Sequence, residues 1–470
     1  MHKKIDNKIL VAVLIFSIIL MLMFSAVNEN KYSKNIKADN GRTEIFIDYN
    51  SITGPVPLNW RALSQGGEEK GVRMLENVTS KISVLTPRYI RIDHIYDYYD
   101  VATVNPQGGY DLSWDKLDST VCDIYRAGAK PFFVLGYMPE GLSGKTDLIS
   151  APKTWDMWSY IVQKTIERYS GKDTRLCGQV TGDFMKNIYY EVWNEPDLES
   201  FGKWSIYGGS KSYLDLYFYS SQGANRAQNV NNFFMGGPVT TALYRNWITN
   251  FLDFVDNNNL RLDFISWHHY SKNPNDYTQD MININSWLTG SYVKYANLPK
   301  IISEWGYDSD PNPVAESALG AAHTFVSIRN LIEQKLEMAF AFEIKDGPSP
   351  RWGLLSYTGE EKPRYKILKL LNMIEGHLLN IYGENDSIKV LASRKNNNIS
   401  LVIGNYDATN QNTCLTPINI GNIPNGQYSV QTFNLDRQIS TQEAIISNGQ
   451  YSTEIVLQPN EIVGIKMEKN

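Results

Sequence analysis

The chain is poor in cysteine and histidine, with three and six residues in 470. Cys122, Cys177 and Cys414 are widely spaced and odd in number, which argues against a disulfide framework and against a Cys-x-x-Cys metal site. His268 and His269 are the one adjacent histidine pair, and neighbours on a strand point to opposite faces, so they cannot chelate one ion together. We therefore expect no metal and no cofactor. No Gly-x-Gly-x-x-Gly follows an early strand, which removes the turn that cradles a dinucleotide. A net charge of −5 and the lack of a dense Lys/Arg block in the body exclude nucleic acid as a partner.

What is present begins with an apolar run. Lys3, Lys4 and Lys8 precede an uncharged stretch from Ile9 to Phe24, extending to Val27, which reads as a signal peptide or a transmembrane anchor (residues 1–27). Its length is near that of a spanning helix. Phe24 stands where a cleavage motif takes a small side chain, which favours an anchor and membrane attachment, with the body extracytoplasmic or secreted. Residues 28–41 are polar and rich in Asn and Lys, a flexible linker. Eleven Trp and twenty-nine Tyr supply rings that fill cores and also grip flat, half-polar ligands.

After the linker, short apolar runs alternate with amphipathic ones. Strands are expected at Tyr89 to Asp93, Pro131 to Gly136, Ile188 to Trp193, Phe233 to Gly236, Phe264 to Tyr270, Ile301 to Glu304 and Met338 to Ile344, with a weaker one between Asn59 and Gly67. Helices are expected at Lys153 to Tyr169, Arg245 to Asn257, Ala315 to Lys335 and Pro363 to Glu375. Near-continuous apolar strands alternating with helices imply a parallel sheet covered by helices, and eight units imply a (β/α)₈ barrel over residues 42–380. From 381 to 470 the pattern becomes short β-branched strands between Asn, Gly and Pro, a C-terminal β-sandwich. Arg42 to Tyr49 (within 42–50) also reads as a strand that pairs with this sandwich.

In such a barrel, charged groups at the carboxyl ends of strands are where catalysis sits. Glu195 and Glu304 end two different strands. Two facing carboxyls hydrolyse an acetal when one, with raised pKa, protonates the departing oxygen and the other attacks as an ionised nucleophile. Asn194 would donate to the sugar's 2-hydroxyl, Tyr270 would hold Glu304 ionised, and Arg91 would lower the pKa of the same carboxylate. His268 is assigned to the cleft because it shares a strand face with Tyr270, and His269 to structure. Asp93 and Asp346 are rim candidates.

Three stretches then carry a resemblance: Lys130-Pro131-Phe132-Phe133-Val134-Leu135-Gly136-Tyr137-Met138-Pro139-Glu140, Tyr190-Glu191-Val192-Trp193-Asn194-Glu195-Pro196 and Ser303-Glu304-Trp305. Together with Gly353-Leu354-Leu355 and Lys362-Pro363-Arg364-Tyr365 they resemble glycoside hydrolase family 39, over roughly Trp60 to Glu375. The resemblance implies a retaining glycosidase with Glu195 as acid/base and Glu304 as nucleophile, and Asn194, His268 or His269, and Tyr270 lining the sugar subsite. Two positions depart from the family pattern. Phe342 stands where a Trp platform is expected, and Val134 stands where a Glu is common. The expected substrate is an extracellular or cell-surface polysaccharide or oligosaccharide. The competing expectation, motivated by the absent Trp, is a catalytically silent, membrane-tethered carbohydrate-binding protein.

Overall fold

The computed structural model describes residues 41–470 except 67–68, 108, 144–146, 183 and 350–351. The apolar run and nearly all of the polar linker lie outside the described residues, so the membrane expectation does too. Among the described residues no helix is long and apolar enough to cross a membrane.

The chain divides into two compact units. One comprises Val56–Met373 with Asn434–Arg437. It is a closed barrel of eight parallel strands, each paired with the next in sequence and the last with the first. In order they are Ala62–Gln65, Tyr89–Ile92, Lys130–Leu135, Ile188–Val192, Phe233–Thr240, Phe264–Tyr270, Lys300–Gly306 and Met338–Phe342. A helix follows every strand, from Thr79–Val84 to Pro363–Leu370, which completes the (β/α)₈ architecture.

Helical spacing explains the wall. In Arg245–Asn257 the residues Trp247, Ile248, Phe251, Leu252 and Val255 are buried, one stripe of a 3.6-residue period. The helix expected from Ala315 to Lys335 begins instead at Ala318, because the Ser317 hydroxyl caps the Gly320 N–H, and a 3₁₀ turn at Pro313–Glu316 precedes it. Period-2 alternation explains the interior. Ala62, Tyr89, Phe132, Tyr189, Phe264, Ile301, Met338 and Phe340 form one apolar cluster. Two residues further along their strands, the inward positions after Tyr89, Tyr189 and Phe340 are Arg91, Glu191 and Phe342.

The cysteine reading needs correction. Cys122 and Cys177 form a disulfide, with Sγ–Sγ 2.12 Å and Cα–Cα 5.4 Å, and Cys414 is free and buried. Sequence spacing missed the bond because the barrel topology folds the small hairpin Arg175–Leu176/Gln179–Val180 back toward the helix Asp115–Arg126. A 55-residue separation is no obstacle once those elements meet.

The second unit comprises the described residues up to Pro55 with Ile374–Phe433 and Gln438–Asn470. Its nine strands form one hydrogen-bonded sheet, in which Ile45–Pro55 lies between His377–Tyr382 and Cys414–Gly421. Residues from all nine strands, including Ile47, Leu379, Val390, Leu401, Ile418, Val430, Ile446, Leu457 and Ile465, bury one common cluster. A flat sheet cannot do this; two arms must face each other across the core, the expected sandwich.

Candidate active site

The barrel rim is shaped by three local devices. The first is a β-bulge on the seventh strand. Trp267 pairs with Ile302, but His268 pairs with Glu304, so Ser303 is the extra residue. The bulge reverses parity beyond it, and Glu304 turns inward at the level of His268 while Trp305 packs edge-on to Tyr277 of the helix Asp276–Trp287. The second is alternation on the sixth strand. His268 bonds Glu195, whereas Trp267 Nε1 and His269 Nδ1 both donate to Asp280 at 2.7 and 2.5 Å. The third is strain at the end of the fourth strand, where Trp193 and Glu195 have φ of +74° and +42°. Left-handed backbone at bulky residues costs about 1–3 kcal/mol each and persists only where neighbours enforce it. Here Trp193 N donates to Leu135 O at 3.2 Å, Glu195 N to Val239 O at 3.1 Å, and Trp193 Nε1 to Phe201 O at 2.9 Å.

These devices bring Arg91, Asn194, Glu195, His268, Tyr270 and Glu304 together. The fully buried Arg91 guanidinium donates to Glu191 Oε2 (Nε, 2.8 Å), Glu304 Oε1 (Nη1, 2.6 Å) and Asn194 Oδ1 (Nη2, 2.7 Å). Tyr270 donates to Glu304 Oε2 at 2.8 Å. His268 Nδ1 donates to Glu195 Oε1 at 2.9 Å and stands 3.5 Å from Glu304 Oε2. The Asn194 amide donates to the Tyr137 hydroxyl at 3.1 Å, which donates to Asp93 at 3.3 Å. The network is therefore closed from Asp93 to Glu195.

Its electrostatics follow from burial and charge together. Burial raises the Glu304 carboxyl above its ordinary value, against the pull of His268, Arg91 and the Tyr270 hydroxyl. The sequence expectation of a carboxylate lowered by Arg91 is thus corrected: the arginine acts as expected, but desolvation outweighs it. Burial also works against charge on His268, yet the Glu304 and Glu195 carboxylates outweigh it and raise the imidazole. Burial pushes the Tyr270 and Tyr137 hydroxyls well above the usual phenol range, which keeps both as neutral donors.

A cavity of about 720 Å³ opens over this network. Its walls include Asn194, Glu195, Tyr270, Glu304, Phe342 and Asp93. Asp346 instead holds the loop after the eighth strand, accepting from Gly353 N at 2.8 Å and pairing with Lys362. Several wall or support residues have no strong sequence signal. Glu191 and Tyr137 lie inside quoted motifs but look like ordinary strand and loop residues. Trp352 arrives from a loop, and its ring sits 5.6 Å from that of Phe342, so the cavity has two aromatic walls on that side. His94 and Glu343 complete the same side.

Glu195, His268 and Glu304 also offer ligand atoms within 4.8 Å of one another. A metal fits them poorly, because the Arg91 guanidinium already occupies one Glu304 oxygen and brings positive charge into the cluster. A neutral ligand that takes a proton from one carboxyl and a bond from the other fits better. The same distance puts a Glu195 oxygen within 4.8 Å of a Glu304 oxygen.

Comparison with known proteins bears on most of the chain. The model of glycosyl hydrolases family 39 matches residues 72–444. A β-xylosidase of Caldicellulosiruptor saccharolyticus is 27% identical over 370 residues, 71% of either chain. Among solved structures, a GH39 enzyme from Xanthomonas axonopodis pv. citri superposes with a TM-score of 0.77 at 17% identity, covering 93% of this chain and 99% of that one. A monomeric β-xylosidase from Caulobacter crescentus CB15 gives 0.75 at 19% identity, covering 91% and 99%.

Proposed function

We propose, for a chain that belongs to glycosyl hydrolases family 39 and so is a retaining glycosidase of O-glycosyl bonds, that Glu304 is the nucleophile and Glu195 the acid/base. In the first step a Glu304 oxygen attacks the anomeric carbon. The bond to the leaving oxygen breaks, and Glu195 gives that oxygen its proton, leaving a covalent glycosyl ester. In the second step Glu195, now a carboxylate, takes a proton from water as the water oxygen attacks the same carbon and Glu304 departs. Asn194 meets the 2-hydroxyl, held in direction by Arg91 and Tyr137. Tyr270 and Arg91 steady the nucleophile's charge before attack and after release.

One observation carries this reading: the Glu195 and Glu304 oxygens approach within 4.8 Å. Retaining pairs stand about 5–5.5 Å apart, whereas inverting pairs leave about 6.5–9.5 Å for a water. The silent-binder alternative loses its motive, since Phe342 and Trp352 both wall the cavity and both carboxyls are present.

The substrate we propose is a β-linked polysaccharide or oligosaccharide outside the cytoplasm or at the cell surface. The Cys122–Cys177 disulfide supports an oxidising compartment, as does the basic-then-apolar sequence at residues 1–27. A screen of aryl β-glycosides, led by the β-xyloside because a related protein is a β-xylosidase, tests the function with Glu304→Gln as control. Turnover that Glu304→Gln abolishes supports it; turnover that survives the substitution refutes the assignment.

A further inference from the structure

A second cavity, of about 340 Å³, lies beside the first and shares two of its walls, Gly66 and Asp93. We propose that it is a subsite for a second, neutral sugar on the glycone side, so that the enzyme prefers chains extending beyond the ring it attacks. The inference rests on the glycosidase reading above and deepens it.

Position gives the side. The departing group must leave over Glu195, at the end of the fourth strand and beside Leu198 and Phe201. The attacked ring sits over Glu304, against Phe342 and Trp352 beyond the eighth strand and Gly66, Asp93 and His94 beyond the first and second. The second cavity lies past those first two strands, with Val72, Tyr99 and Lys116 on its walls and neither Glu195, Leu198 nor Phe201 among its described lining residues. Tyr98, another of its walls, stacks on His94 of the first cavity at 4.2 Å and 28°, so the two spaces share a partition of two rings.

Size and charge give the ligand. About 340 Å³ is near the lower end of ligand pockets, room for one ring and not a long chain. Its cations are already matched: Arg73 donates to Asp123 at 2.7 and 2.9 Å and to Glu76 at 2.7 Å, and Lys116 pairs with Asp100. Glu69 and Asp115 add negative charge to the walls. A uronate or sulfated sugar would face carboxylates with no spare cation among the described wall residues, whereas hydroxyls find both donors and acceptors, and the tyrosines and Val72 offer apolar faces.

The test compares 4-nitrophenyl β-D-xyloside with 4-nitrophenyl β-xylobioside, or the same pair in whichever sugar series the screen selects. The expected result is direct release of nitrophenol from the disaccharide, without a lag for prior trimming, and a higher kcat/KM for it. Val72→Trp, which fills the cavity from a position 36% exposed, should cut the disaccharide-to-monosaccharide ratio of kcat/KM about tenfold, mostly through KM. Tyr99→Ala, which empties one wall, should move the ratio the same way. A lag on the disaccharide, or an equal fall on both substrates in both variants, overturns the subsite. Absence of turnover on every aryl glycoside would instead overturn the glycosidase proposal, and the subsite with it.

Discussion

The two ends of the barrel are made by the same eight strands and could hardly differ more. At the amino-terminal end, Tyr89, Phe132, Tyr189, Phe264 and Phe340 fill the interior with rings, Phe132 and Phe340 lying 4.7 Å apart. Two to six residues later the same faces present Arg91, Glu191, His268 and Tyr270, with the bulge adding Glu304. The apolar end needs no exact partner for any atom and tolerates exchange of one large side chain for another. The charged end is a network in which each group depends on its neighbours, and breaking one link leaves a buried charge unpaired. Stability is concentrated at one end and chemistry at the other.

The largest effect that would test this contrast comes from Glu304→Gln. We expect turnover to fall about 10⁴-fold or more while the melting temperature holds, because the amide keeps the shape and Glu191 still pairs the buried Arg91 guanidinium. Activity and melting temperature, measured on the same sample, check it. At the opposite end, Phe132→Leu should lower stability by about 1–2 kcal/mol in chemical denaturation and leave kcat nearly untouched. Loss of activity there at constant stability would erase the contrast.

Asn194→Ala should reduce kcat about 10²–10³-fold with a smaller change in KM, since the amide's bond to the sugar strengthens in the transition state. Steady-state kinetics on the best aryl glycoside separate the two parameters. Tyr270→Phe removes one donor to the Glu304 carboxylate and should cost about tenfold in kcat.

A subtler test uses pH. His268 is raised above its ordinary value of 6.5 by Glu304 and Glu195, against burial and the Arg91 charge. A raised folded value means that the folded state holds the proton more tightly. Its stabilising contribution is therefore complete below about pH 6.5 and is lost as pH climbs through the raised value. Glu304, raised from 4.5, acts in the same sense, its contribution fading as pH rises above about 4.5. His268→Gln should flatten the upper part of the melting-temperature profile, and an unchanged profile would contradict the assigned network. The smallest effect on activity belongs to Cys122→Ser with Cys177→Ser. Closing a loop of 55 residues stabilises by about 4 kcal/mol in the chain-entropy picture, so unfolding should come earlier while kcat/KM stays within error.

Much of this architecture is legible in the residues themselves. The sixth strand, Phe264–Tyr270, and the helix Arg245–Asn257 have the expected bounds, because their period is uninterrupted. The first strand, Ala62–Gln65, is short and reads weakly, since small and polar side chains occupy an interior that neighbouring strands make tight. Glu195 and Glu304 stand out by ending apolar runs. Glu191 does not, because it lies within its run and acquires meaning through Arg91, a hundred residues away in sequence. Trp352 is hidden for a similar reason: it sits on a loop, and periodicity says nothing about where a loop returns. The disulfide and the bulge at Ser303 depend on which elements meet, which is a property of the closed barrel and not of any local pattern.

The assignment of the two carboxyls is tested most directly by trapping the first intermediate. A 2-deoxy-2-fluoro glycoside with an activated leaving group, in the sugar series the screen selects, slows the second step more than it prevents the first. Peptide mass spectrometry of the inactivated enzyme should place the sugar on Glu304, within reach of Glu195 and held between Arg91 and Tyr270. A sugar found on Glu195, or inactivation without any covalent adduct, would contradict the account.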